Sequence, residues 1–115
     1  VIVGFTDAET IPGLAGNVVG LAGPVPVSRS DRDYSVLVSG SLWLDESLLD
    51  EPATAGGPAW LPVLRHEFGH VIGLGHVDDP SQLMNPVNVP GVETYQAGDL
   101  YGLAQLGQGR CAPDF

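Results

Sequence analysis

Residues 66–76 read His66-Glu67-Phe68-Gly69-His70-Val71-Ile72-Gly73-Leu74-Gly75-His76, and they contain all three histidines of the chain. On a helix that advances about 100° per residue, His66 and His70 sit about 40° apart and one turn from each other, so both imidazoles can reach one metal ion. Leu64, Phe68, Val71 and Ile72 fall on the opposite face and are expected to pack into a core. Gly73 is where a left-handed turn costs least, so it should end the helix and let the chain bring His76 back as a third ligand. Three neutral imidazoles leave one open position on a tetrahedral ion, the layout of a catalytic rather than a closed structural zinc. Glu67 lies beside the ligand face without being needed as a ligand. A carboxylate there can take a proton from water at the open position and later deliver it to a leaving amine.

This H-E-x-x-H-x-x-G-x-x-H spacing resembles the metzincin signature, and Ser81-Gln82-Leu83-Met84-Asn85-Pro86 resembles the methionine turn of that clan. Within the clan the chain is most similar to the matrixins, through His66 to Leu74 and the short gap from His76 to Met84. The resemblance implies a zinc-dependent endopeptidase acting on extended protein substrates. His66, His70 and His76 would hold one catalytic zinc, Glu67 would be general base and acid, and Met84 would form an apolar floor beneath them. Gly40-Ser41-Leu42-Trp43-Leu44-Asp45 resembles the matrixin strand that precedes the loop to the active-site helix. Gly98-Asp99-Leu100-Tyr101-Gly102-Leu103 resembles the start of the family's final helix, where Asp99 would brace the methionine turn. An acid at a helix N-terminus also favours the helix dipole, and both readings of Asp99 stand. A peptide would lie along an edge strand at Gly20, Leu21 and Ala22, with Pro86 and Asn88 bordering the primed-side pocket.

The chain also departs from the pattern. Val77 stands where matrixins usually have serine after the third histidine, Asn85 where an aromatic commonly follows the methionine, and Asn88 where a tyrosine lines the pocket. Pocket depth and preference therefore do not carry over. No histidine is left for a second, structural zinc. Calcium would need clustered oxygen ligands, for which Asp7, Asp31, Asp33, Asp45 and Glu46 are the candidates, with solvated charge the plainer account. Matrixin catalytic domains carry two further strands and a long helix ahead of the strand that matches Val1 to Phe5. Residues 1–115 are therefore read as one domain, roughly the C-terminal two-thirds of such a catalytic domain. One sheet face would lack apolar cover, and an N-terminal fragment of the same precursor is a candidate partner. A second reading is a zinc-binding remnant that serves as a binding module without hydrolysis; the intact Glu67 argues against it. Secretion is implied by the family alone. Cys111, the single cysteine, sits in Gly109-Arg110-Cys111-Ala112-Pro113-Asp114, which faintly resembles a matrixin propeptide switch. It is better read as a half-cystine whose partner lies elsewhere.

Composition narrows the field of functions. With 115 residues, 43% hydrophobic and 16% charged, the chain suits one globular core. A net charge of −10, with four arginines and no lysine, argues against nucleic acid or an anionic membrane as partner. No apolar run approaches the roughly 20 residues of a membrane-spanning helix.

The elements that must position these residues follow from pattern and punctuation. Val1 to Phe5 predicts a buried strand, Ile11 to Gly16 a loop, and Val18 to Ala22 a short strand closed by Gly23-Pro24 and Pro26, with proline marking a sheet edge. Ser28 to Asp33 is a charged turn. Tyr34 to Leu44 is the longest strand, with a bulge expected at Ser39-Gly40-Ser41. Ser47 to Gly57 is an acidic loop. The metal-binding helix should begin near Trp60 or Leu61, because Pro62 is tolerated only in a first turn, and should run to Leu74. Residues 77–94 are irregular. A last helix spans Gln96 to Leu106, with Leu100, Leu103, Ala104 and Leu106 as its apolar side. Strands first and helices after predict an α+β fold, a metzincin-type mixed twisted sheet with two helices.

Overall fold

The computed structural model describes residues 1–112. Its elements are β1 (Ile2–Thr6), β2 (Gly20–Ser28), β3 (Ser35–Asp45), α1 (Trp60–Ile72) and α2 (Ala97–Gln105), with short 3-10 turns at Pro12–Leu14 and Glu46–Leu49. The fold is α+β, as expected. One mixed sheet runs in the order β1-β3-β2, with β1 parallel and β2 antiparallel to the central β3. No helix among the described residues is long and apolar enough to cross a membrane.

Strand alternation places Gly40, Leu42 and Leu44 of β3 on one face, and α1 lies across that face. Leu42 and Leu44 are fully buried in a cluster with Leu48, Val63 and Val71, flanked by Ala22, Trp60 and Leu64. Burial of each leucine stabilises by roughly 1.5–3 kcal/mol, so these two carry much of the attachment of α1 to the sheet. The helix packs closely over Gly40, where an added Cβ would lie 2.7 Å from Val71 Cγ1.

Several expectations need correction. β2 does not stop at Ala22 but runs through Pro24 and Pro26 to Ser28. Its geometry explains why. The Val19 carbonyl accepts from Asp45 N–H at 2.9 Å, so by alternation Gly20, Ala22, Pro24 and Pro26 turn their backbone groups away from β3. Neither proline then removes a ladder bond. The bulge lies just before the expected segment: Val25 pairs with Ser39 and Pro26 with Leu37, leaving Val38 as the extra residue. The first strand forms, but it is not buried: Val1, Ile2 and Val3 are all more than half exposed, since β1 is an edge strand, which meets α1 where Phe5 packs against Trp60. Phe68 and Ile72 were expected in the core and instead face out, 41% and 37% exposed, because the sheet fills only the side of α1 that carries Val63 and Val71. α1 ends at Ile72 rather than Leu74. α2 ends at Gln105, and its expected apolar side is open: Leu100, Ala104 and Leu106 are exposed and Leu103 is half-buried. Its buried residue is Asp99. Cys111 is free and exposed; Pro113 and Asp114 of its motif lie outside the described residues.

Candidate metal centre

α1 presents His66 and His70 one turn apart. It stops where the sequence predicts a left-handed residue: Gly73 has φ 117°, its N–H donates to the carbonyls of Gly69 and His70, and Leu74 N–H closes onto Gly69 at 2.8 Å. The reversed chain carries His76 back over the helix. The three Nε2 atoms converge, 3.2 Å between His66 and His70, 3.1 Å between His66 and His76, and 3.0 Å between His70 and His76. Nitrogens about 2.0–2.1 Å from a tetrahedral zinc would lie about 3.3 Å apart, close to this spacing.

The outer ring nitrogens decide what this convergence means. His66 Nδ1 faces the Leu83 carbonyl at 2.7 Å and His70 Nδ1 faces the Leu74 carbonyl at 2.8 Å. A carbonyl oxygen only accepts, so both Nδ1 atoms carry a proton, and in the neutral rings both Nε2 atoms are then bare lone pairs. Two lone pairs 3.2 Å apart repel each other. A cation between them removes the repulsion, and carbonyl-held imidazoles are the usual support of a metal ligand. The donor set and its geometry thus fit a metal ion. Among the described residues, no other group of three or more His, Cys, Asp or Glu side chains is placed to share one. Of the calcium candidates, Asp7 accepts from Thr10 N–H, Asp45 accepts from Ser47 N–H, and Asp31 pairs with Arg29.

Burial holds the His66 imidazole below its ordinary pKa, with the His70 and His76 rings adding to the effect and the Leu83 carbonyl opposing it. Burial and His70 lower His76 in the same way. Both shifts favour the neutral, ligating form. Glu67 moves the other way: burial raises its carboxyl, partly offset by His70. Its backing is Gly20 of β2, where an added Cβ would stand 2.7 Å from Glu67 Cγ and 2.8 Å from its Oε1.

Met84 is 1% exposed. Its Sδ sits 2.6 Å from where a Cβ on Gly69 would be, so the glycine just before His70 gives the thioether its space against α1. The turn that carries Met84 is held by Asp99, itself buried. Its carboxylate accepts from Leu83 N–H at 2.7 Å and Met84 N–H at 3.1 Å. It also accepts from Gln96 N–H at 2.8 Å, at the start of α2. Asp99 therefore both caps α2 and holds the methionine turn, and the two sequence readings describe one carboxylate. Gln82 answers from the turn, its Oε1 accepting from Gly98 and Asp99 N–H.

Two clefts meet at Glu67 and His76. One, of about 560 Å³, lies between the β2 edge and the Gly73 turn and includes Gly20, Leu21, Ala22 and Pro24. The other, of about 540 Å³, is bounded by Val19, Gly20 and Val63 on one side and by Asn85, Pro86, Val87 and Asn88 on the other. Gly20, Leu21 and Ala22 line the first cleft with His70 and His76, and Pro86 and Asn88 line the second with His66 and His76. Sequence reasoning missed the Leu83 carbonyl, which leaves no trace in residue type, and the cap from Gln82. It noted Asn85 only as a departure. A polar residue within Leu-Met-x-Pro was the available signal that something there needed a hydrogen bond.

A family model described as matrixin matches residues 36–106. No curated protein and no solved structure matches the chain.

Proposed function

The chain belongs to the matrixin family, and from that premise we propose that it is a zinc-dependent endopeptidase. His66, His70 and His76 would hold the zinc, which when bound polarises a carbonyl and acidifies water. Glu67, set beside the ligands and backed by Gly20, accepts the proton of the attacking water and delivers it to the departing amine. Its raised affinity for protons suits a group that must both take and give one. The outward-facing backbone of Gly20 and Ala22 orients an extended peptide by strand addition. The cleft bounded by Val19, Val63, Pro86 and Asn88 receives a side chain on the far side of the scissile bond. Met84 keeps the underside of the site dry. The observation that carries the reading is the convergence of three Nε2 atoms whose helix-borne members are forced into the ligating tautomer.

Zinc content and casein cleavage, measured together, test it. Wild type should bind one zinc, and His70→Ala should lose it. Glu67→Ala should keep zinc and lose cleavage by several orders of magnitude. Full zinc content in His70→Ala would reject the triad. Zinc binding without cleavage in wild type would favour a binding module instead.

A further inference from the structure

His76 differs from its two partners. The Nδ1 atoms of His66 and His70 are each fixed by a carbonyl, whereas the His76 ring has hydrogen-bond-distance partners only in the other two imidazoles among the described residues and is exposed. Its place must be set through its backbone. The neighbouring Val77 supplies the attachment on both of its polar groups. Val77 N–H donates to the Met84 carbonyl at 3.1 Å, and the Val77 carbonyl accepts from Asn85 Nδ2 at 3.3 Å. The same side chain accepts from Val87 N–H through Oδ1 at 3.1 Å. Asn85 is buried. One of its partners can only accept and the other can only donate, so its amide has a single satisfying orientation. An aliphatic residue could not make either bond, and an acid could not donate to Val77.

We propose that Asn85 is the positioning residue for the third ligand: through Val77 it holds His76 over the helix histidines, and through Val87 it fixes the cleft wall to the same point. This rests on the zinc reading of the triad. Metal ligands ordinarily depend on such supporting bonds, and their loss weakens binding by roughly 10–100-fold.

Zinc affinity by competition with a chromophoric chelator, on the whole chain, tests the proposal in wild type, Asn85→Ala, His76→Ala and the double variant. Asn85→Ala should weaken zinc binding by roughly 10–100-fold. In the His76→Ala background, where only the helix histidines bind, the same change should have less than about a twofold effect, because its target is already gone. An equal loss in both backgrounds would mean general loosening of the fold and would overturn the proposal, as would wild-type affinity in Asn85→Ala. If Asn85→Ala does not fold, Asn85→Leu keeps the branched shape without either hydrogen bond and is judged by the same two comparisons. Absence of zinc binding in wild type would overturn the triad itself, an outcome distinct from failure at Asn85 alone.

Discussion

His66 and Asp99 are tied to opposite ends of one residue: the Leu83 carbonyl accepts from His66 Nδ1 at 2.7 Å, and Leu83 N–H donates to Asp99 at 2.7 Å. A histidine on α1 thus takes its orientation from a carboxylate on α2, through a segment that belongs to neither helix.

Replacing Asp99 should therefore be felt in two places. Asp99→Ala leaves the N–H groups of Leu83, Met84 and Gln96 without their acceptor. Unsatisfied buried donors cost about 1–3 kcal/mol each, and relaxation should leave a net loss of roughly 2–4 kcal/mol in urea unfolding. Zinc affinity should fall as well, because the Leu83 carbonyl loses its anchor. A change within the roughly 0.5 kcal/mol of an ordinary surface substitution would show that the carboxylate is dispensable.

Gly69 and Met84 should behave as a coupled pair. Gly69→Ala drives a methyl group to 2.6 Å from Met84 Sδ, and such overpacking costs about 1–3 kcal/mol. Met84→Ala alone should also destabilise, through the cavity it leaves. The double variant should be more stable than the sum of the two losses predicts. Strict additivity in denaturation would mean that the methionine does not occupy that space.

At Gly20 the expected signature is a separation of binding from catalysis. The three atoms nearest to a Cβ there belong to Glu67 and Val63. Gly20→Ala should hold zinc within about threefold of wild type while cleavage drops by roughly 10²-fold, the effect of about 1 Å of misplacement in a reacting group. Equal losses of zinc and activity would refute the specific role of this contact.

The metal-free protein should lose stability in mild acid. His66 and His76 have folded pKa values below the ordinary 6.5, so their contribution is complete above that pH and is lost as pH falls from it through the folded values. Glu67 acts in the opposite sense, its folded pKa lying above 4.5, and Glu67→Gln removes it from the comparison. In that background the melting temperature should fall between pH 7.5 and pH 5.5, and by less once His66 is also replaced. A flat profile would contradict the directions of both histidine shifts.

The histidine cluster was readable from sequence because helical spacing and one glycine nearly determine it. The same holds for the α+β order, since alternation in β3 and proline near the start of α1 are local signals. The sequence ends β2 at Ala22 because Pro24 reads as a breaker until it is known which way its backbone faces. Phe68 and Ile72 read as core because a helix pattern shows an apolar face without showing how much of it the sheet reaches. What bound the site together was largely invisible. The Leu83 and Leu74 carbonyls act through backbone that any residue possesses, and the space for Met84 and Glu67 comes from side chains missing at Gly69 and Gly20.

The prolines of β2 limit how far the sheet can be extended by another strand. Facing outward, Gly20 and Ala22 each offer a donor and an acceptor, whereas Pro24 and Pro26 offer acceptors alone. A peptide added along this edge would find two complete rungs about 7 Å apart, then only half-rungs, and beyond Val25 the Val38 bulge bends the strand away. Peptides lengthened past that point would gain no further paired main-chain bonds, so discrimination there must come from side chains rather than from reach.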